Sequence, residues 1–301
     1  MSIIAKRETI MEAKRKLLAN ICKPRDFYEQ DVLEKCSQDC RWKVLMFLLL
    51  ANVTGATILM SPLIKQNKTI LPLRGWYPYS LDTKVMFCIT YIYQIVAVLM
   101  SVCITASVEG LALTLMLQIS AQLELCVHRI QFLPKICKKF NSELYIRQGE
   151  SKLIKDCVKH HKHIYLMGKN LNNLFSGVIF VHFFASVASL CVIIYQLSRL
   201  GTKDPTYWIM ISSVGTILTQ TFLYCYYGEK IIEKSMEVAD SIYEINWINL
   251  KNTTKRDLIV MMLKAAKPIQ LAGASIMVMS IKTFIKILRS AYSAYNLLAN
   301  I

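Results

Sequence analysis

The chain has 301 residues, 54% hydrophobic and only 19% charged, with a mean hydropathy of +0.37, whereas a soluble domain carries roughly 25% charged residues. That excludes a disordered polar chain and points to lipid. The formal charge of +16, from 36 Lys+Arg against 20 Asp+Glu, would suit a nucleic-acid partner only as a patch interleaved with aromatics; the basic residues are sorted by segment instead, so no nucleic acid is expected.

Residues 1–43 hold ten Lys or Arg and lack the apolar stretch of a signal peptide, so insertion is expected to use an internal helix. The first apolar run, Val44 to Ile64, is uncharged and long enough to cross a hydrocarbon core about 30 Å thick. The loop after it contains Asn67-Lys68-Thr69, a sequon that makes Asn67 a candidate glycosylation site. The second run starts at Val85 and meets no charge before Glu109, and its apolar periodicity continues to Arg129. A helix of that length outruns the membrane, giving a cytoplasmic extension over 113–172. Within it, CVKHHKH brings together Cys157, His160, His161 and His163. With no second ligand cluster, this reads as a solvated basic helix face, and neither metal nor cofactor is expected.

The third run, 174–198, carries His182, suited to a pocket or to an interhelical hydrogen bond; the fourth, 206–227, has no charged residue. RLGTKDP between them, with Gly201 and Pro205, is a tight reversal. These four runs form a transmembrane bundle over 44–228. Residues 229–268 follow as a cytoplasmic assembly region: Ile231, Val238, Ile242 and Ile245 mark an amphipathic helix, and a second helix is interrupted near Pro268. The fifth run, 269–301, is expected to be a spanning helix. Ser275, Met279, Lys282, Lys286, Arg289, Ser293, Asn296 and Asn300 recur at steps of three and four and so share one face. Three cations cannot face lipid cheaply: they must snorkel, pair between helices or face water, and the water-lined reading makes this helix the candidate pore lining, with Leu297 and Asn300 near its outer constriction.

Basic residues are retained on the cytoplasmic side. The segments 1–43, 113–172 and 227–271 hold 27 Lys or Arg, against six in 65–84 and 198–205. The N-terminus is therefore expected in the cytoplasm and, after an odd number of crossings, the C-terminus outside. The fold class is all-α, a polytopic helix bundle whose long helices run on into the cytoplasm. None of the ten cysteines lies in the two outer loops, so no disulfide framework is implied. No GxSxG, HExxH, P-loop or GxGxxG occurs, and the chain is not expected to be an enzyme. The outer halves of the first four runs contribute Thr54, Thr57 and Ile58; Phe87, Tyr91 and Gln94; Ser186, Cys191 and Ile194; and Trp208, Ile211 and Ser212. Aromatic and aliphatic walls with few hydroxyls suit a small apolar ligand, although ordinary helix packing uses the same residues.

LPLRGWYPYS (71–80), YCYYGEKIIEKSMEVADSIYEINW (224–247) and LIVMMLKAAKPIQLAGASIMVMSIKTFIKILRSAYSAYNLL (258–298) together resemble the insect odorant receptor family. The resemblance implies a ligand-gated cation channel in the plasma membrane, assembled with the odorant receptor co-receptor (Orco) as a hetero-oligomer expected to be tetrameric, and a small volatile ligand. It also implies seven spanning helices. The five runs here match the family's third to seventh, so the chain is expected to be a fragment lacking two. A gustatory receptor would end in TY-hydrophobic-QF where this chain has AYSAYNLL, a transporter would show paired halves with broken helices, and a G-protein-coupled receptor would carry DRY and NPxxY motifs.

Overall fold

The computed structural model describes residues 7–64, 71, 73, 75–79, 83–139, 143–202, 204–248, 250–274 and 276–299. Among these, seven α-helices account for almost all regular structure: α1 (Arg7–Leu17), α2 (Phe27–Ile64), α3 (Lys84–Lys139), α4 (Glu143–Arg199), α5 (Pro205–Glu244), α6 (Asn252–Ala265) and α7 (Ile281–Ala299). A short antiparallel pair, β1 (Ala272–Gly273) and β2 (Met277–Val278), precedes α7. The all-α class therefore stands. At α2, the Asp26 carboxylate accepts the Glu29 amide at 2.8 Å and the Glu29 carboxylate accepts the Arg25 amide at 2.8 Å, which satisfies amides that a helix start leaves unpaired. At α5, Pro205 occupies the first helical position, where its missing N–H costs nothing, and Asp204 Oδ1 accepts the Thr206 amide at 2.8 Å.

The chain divides into two compact units. One comprises 1–40, 114–182 and 224–283, the other 41–113, 183–223 and 284–301. In the first, α3 is buried on nearly every side from Leu115 to Leu133, the signature of a central helix. Ile231, Val238 and Ile242 of α5 are fully buried there as well, along the stripe their spacing implies.

The second unit is built the other way round. Many of its large apolar side chains face outward, with Leu49 at 64% and Phe184 at 71% exposure, while Thr90, Gln94, Glu109, Ser186 and Thr221 are buried. Apolar outside and polar inside is the arrangement of a helix bundle in lipid, where polar groups must find partners within the protein. Thr221 Oγ1 accordingly donates to Ile217 O at 2.8 Å and lies 3.3 Å from Ser186 Oγ. Among the described residues four helices, α2 to α5, are long and apolar enough to cross a membrane. At about 1.5 Å per residue the 56 residues of α3 extend about 84 Å, which fits the expectation of helices that outrun the bilayer.

The helix expected from Ile269 begins only at Ile281. The intervening residues form the β-pair, whose turn places Ala274 at φ 49°. Side chains of α4 and α5 accept its backbone amides: Asn172 Oδ1 from Ala272 at 2.7 Å, Ser176 Oγ from Ala274 at 2.9 Å and Ser235 Oγ from Ile269 at 3.1 Å. A Cβ on Gly228 would collide with the Met279 carbonyl, so only glycine lets α5 approach this hairpin. Interruption near Pro268 agrees with α6 ending at Ala265.

Candidate functional site

In the second unit α2, α3 and α5 line an open-sided cavity of about 410 Å³. Phe47, Ala51, Gly55 and Ile58 of α2, Val98 and Val102 of α3, and Leu73 supply its apolar wall, and Thr54, Ser101, Thr105, Thr216 and Gln220 its polar groups. The helices come close because Gly55 has no side chain: a Cβ there would stand 3.3 Å from Val102. Across the cavity Thr54 and Thr216 share a hydrogen bond of 2.7 Å. At its edge the Gln220 amide donates to Glu109 Oε1 at 2.7 Å, giving a buried carboxylate one partner inside the bundle.

Of the residues singled out from sequence, Thr54 and Ile58 line this cavity. Thr57 donates to its own helix at Thr54 O, 2.8 Å. Phe87 stacks on Tyr91 at 6.2 Å, and the Tyr91 hydroxyl reaches Leu59 O at 3.4 Å. Gln94 is a clasp: its amide donates to Leu73 O at 2.8 Å and to the Tyr77 hydroxyl at 2.6 Å, and its carbonyl accepts the Leu73 amide at 3.0 Å. It thereby holds Leu73 at the cavity wall. Ser186 is occupied by Thr221. The Cys191 thiol donates to Ala291 O at 3.9 Å, Ile194 and Ser212 are half-buried, and Trp208 and Ile211 are exposed. His182 lies against the Tyr224 ring at 5.3 Å. Phe47, Val98, Thr216 and Gln220 were missed; a glutamine and a glutamate inside apolar runs are the signal that could have found that end of the cavity.

In α7, Lys282, Lys286, Arg289 and Ser293 lie on an exposed face, opposite buried Ile287 and Ala291. Phe284 packs edge-on against Phe222 of α5 at 5.5 Å. Leu297 is helical, but its side chain lies outside the described residues, as do Asn67, Ser275 and Asn300.

The first unit holds a buried polar cluster instead of a solvated basic face. Arg129 grips Glu29 with two bonds of 2.7 and 2.8 Å and donates to Ile21 O and Lys23 O at 2.8 and 2.9 Å. His160 Nδ1 lies 3.2 Å from Arg129 Nη1 and Nε2 lies 2.8 Å from Gln122 Oε1, so Nδ1 accepts and Nε2–H donates, the neutral tautomer. Burial, reinforced by Arg129, lowers its pKa to about 3; burial and then Lys264 lower that of His161 to about 4. Burial raises the Cys157 thiol to about 11, leaving it unreactive. Cys157, His160 and His161 are therefore core residues, and His160 is held by an arginine that repels a cation. Asp26, Glu29 and His128 approach one another as possible ligands, but both Glu29 oxygens already serve Arg129.

A bundle with outward apolar side chains, inward polar ones and an apolar cavity defines a polytopic membrane protein with room for a small molecule. A family model described as seven-transmembrane odorant receptor matches residues 1–292, and the chain belongs to that family. It is 28% identical over 223 residues to odorant receptor 9a of Drosophila melanogaster, covering 74% of this chain and 54% of that protein. To the odorant receptor coreceptor of the same species it is 21% identical over 148 residues, 49% of this chain and 30% of that one. The chain thus spans about half the length of the first relative, or less in the second. The solved olfactory receptor OR5 of Machilis hrabei in complex with eugenol superposes with a TM-score of 0.84 at 16% identity, over 99% of this chain and 76% of that one, which establishes a common fold.

Proposed function

We propose that this chain is the odorant-sensing subunit of a ligand-gated cation channel in the plasma membrane, paired with the odorant receptor co-receptor in a hetero-oligomer. The observation that carries the reading is the cavity of about 410 Å³, apolar with a few hydroxyls, inside the lipid-adapted unit of an odorant receptor fold. Helix α5 supplies a path from ligand to pore. It lines the cavity through Thr216 and Gln220 and meets α7 through Phe222 and Phe284. A volatile molecule that fits the cavity better in one arrangement of α5 shifts the population of α7 toward the open pore. The sorting of basic residues supports a cytoplasmic N-terminus, an extracellular C-terminus and glycosylation at Asn67.

The exposed face of α7 supports a minority role. Four copies of Lys282, Lys286 and Arg289 around one conduit would repel cations, whereas the charges of one copy can be screened by water and counter-ions. The test is co-expression with the co-receptor and a volatile panel. Ligand-evoked cation current is expected from the pair and not from this chain alone, and Gly55→Leu, which fills the cavity, should abolish the response while surface expression persists. Robust current from this chain alone would refute the minority assignment.

A further inference from the structure

The start of α7 is completed by a residue of another helix. Ser280 caps it from within: its hydroxyl oxygen accepts the Thr283 amide at 3.3 Å, and the Thr283 hydroxyl donates to Val278 O at 2.6 Å. The Ile281 amide, which its own helix leaves unpaired, donates instead to Glu229 Oε2 of α5 at 3.2 Å. A helix start favours negative charge, yet the first turn of α7 holds no acidic residue and carries Lys282. Glu229 supplies that charge from 52 positions upstream. Beside it, Gly228 meets the Met279 carbonyl so closely that no side chain fits, and Ser235 accepts the Ile269 amide at 3.1 Å. Within the first unit α5 therefore holds the segment leading into α7 at Ile269, Met279 and Ile281.

We infer that Glu229 is the positioning residue through which α5 sets the placement of α7. Gln220, on the cavity wall, lies nine residues before Glu229 on the same helix, about 14 Å along its axis. The edge-on contact of Phe222 with Phe284 is apolar and tolerates sliding, whereas a hydrogen bond to a carboxylate has a narrow range of length and direction. Glu229 therefore carries the register between the two helices. A ligand that favours one arrangement of α5 favours, through the Ile281 amide, one placement of α7. The carboxylate touches neither ligand nor ion and acts only through that amide. This rests on the function proposed above.

The test co-expresses the full chain with the co-receptor and compares Glu229→Met, which keeps the length and removes the acceptor, with Glu229→Gln, which keeps an acceptor oxygen. Amide hydrogen exchange over 279–284 reads the bond. Currents evoked by 1-hexanol, cyclohexanone and methyl benzoate, normalised to surface protein, read the coupling. In Glu229→Met, exchange at Ile281 is expected to quicken roughly tenfold and the maximal evoked current to fall by a similar factor, the scale of one hydrogen bond. Affinity of the same probes for the chain in phosphatidylcholine nanodiscs should stay within about twofold, because the cavity wall is untouched. Glu229→Gln should recover most of the current. Quicker exchange with an unchanged maximum overturns the coupling and leaves the channel reading intact; unchanged exchange overturns the bond itself. Loss of Glu229→Met from the cell surface, or an equal loss of current in Glu229→Gln, makes Glu229 a folding residue and overturns the assignment. Absence of evoked current from the wild-type pair with all three probes overturns the function proposed above and this inference with it.

Discussion

The two units place opposite chemistry in their interiors. The first hides its apolar residues around α3 and gathers four of its buried polar groups into one dense cluster in which Arg129, Glu29, His160 and Gln122 bond one another and three backbone carbonyls. The second shows its apolar residues outward and keeps isolated polar pairs inside, such as Thr54–Thr216 and Thr221–Ser186. A water-facing unit gains from burying hydrocarbon and can hold a charge only in a complete network. A lipid-facing unit gains nothing from burying hydrocarbon, so its helices join through small residues and single hydrogen bonds. Substitutions should therefore cost stability in the first unit and alter response in the second.

The largest break is expected at Arg129→Met. It strands Glu29, 1% exposed, and removal of one partner from a buried pair costs about 3–5 kcal/mol. Loss of a monodisperse peak in detergent and a Tm lowered by several degrees would check this; an unchanged Tm would mean that the cluster is dispensable.

A smaller effect comes from pH. His160 and His161 have folded pKa values of about 3 and about 4, depressed from 6.5. Below 6.5 the unfolded chain binds protons that the folded chain refuses, so the stability from these neutral imidazoles is complete above that pH and is lost as pH falls toward 4. Tm in detergent should drop between pH 7 and pH 5, and His160→Gln should flatten the slope by about one proton.

The smallest stability change should come from Lys286→Gln on the exposed face of α7, within about 0.5 kcal/mol. Its effect belongs to conduction: the co-expressed channel should show altered cation selectivity, as should Leu297→Ala in gating, and unchanged currents in both would remove these residues from the ion path.

The long helices and the lipid-adapted bundle were legible because uncharged runs of about 20 residues have few other uses in a sequence. The hairpin at 272–278 was not, since a short apolar run reads equally as helix or strand; Pro268, Gly273 and Ser280 were its punctuation. The interior position of the histidines was hidden by Lys159 and Lys162, yet Ile154, Cys157, His161 and Ile164, all buried, fall at steps of three and four along one face. In the cavity, Thr54 and Ile58 could be placed by depth alone. Thr216 and Gln220 lie further along α5, and which depth holds a void is decided by packing among three helices, notably the contact at Gly55, rather than by residue type.

The bond between Arg129 and Glu29 also has a timetable. The two residues are 100 positions apart, and at about 5–20 residues per second a ribosome needs roughly 5–20 s to reach the second after the first. Throughout that interval Glu29 exists without its arginine, and His160 comes later still. The start of α2 therefore stays hydrated while α3 is being made, and the first unit closes after two hydrophobic segments have already been offered to the membrane. Insertion precedes consolidation, and slowing translation between 29 and 160 lengthens the period in which the nascent chain is open to quality control.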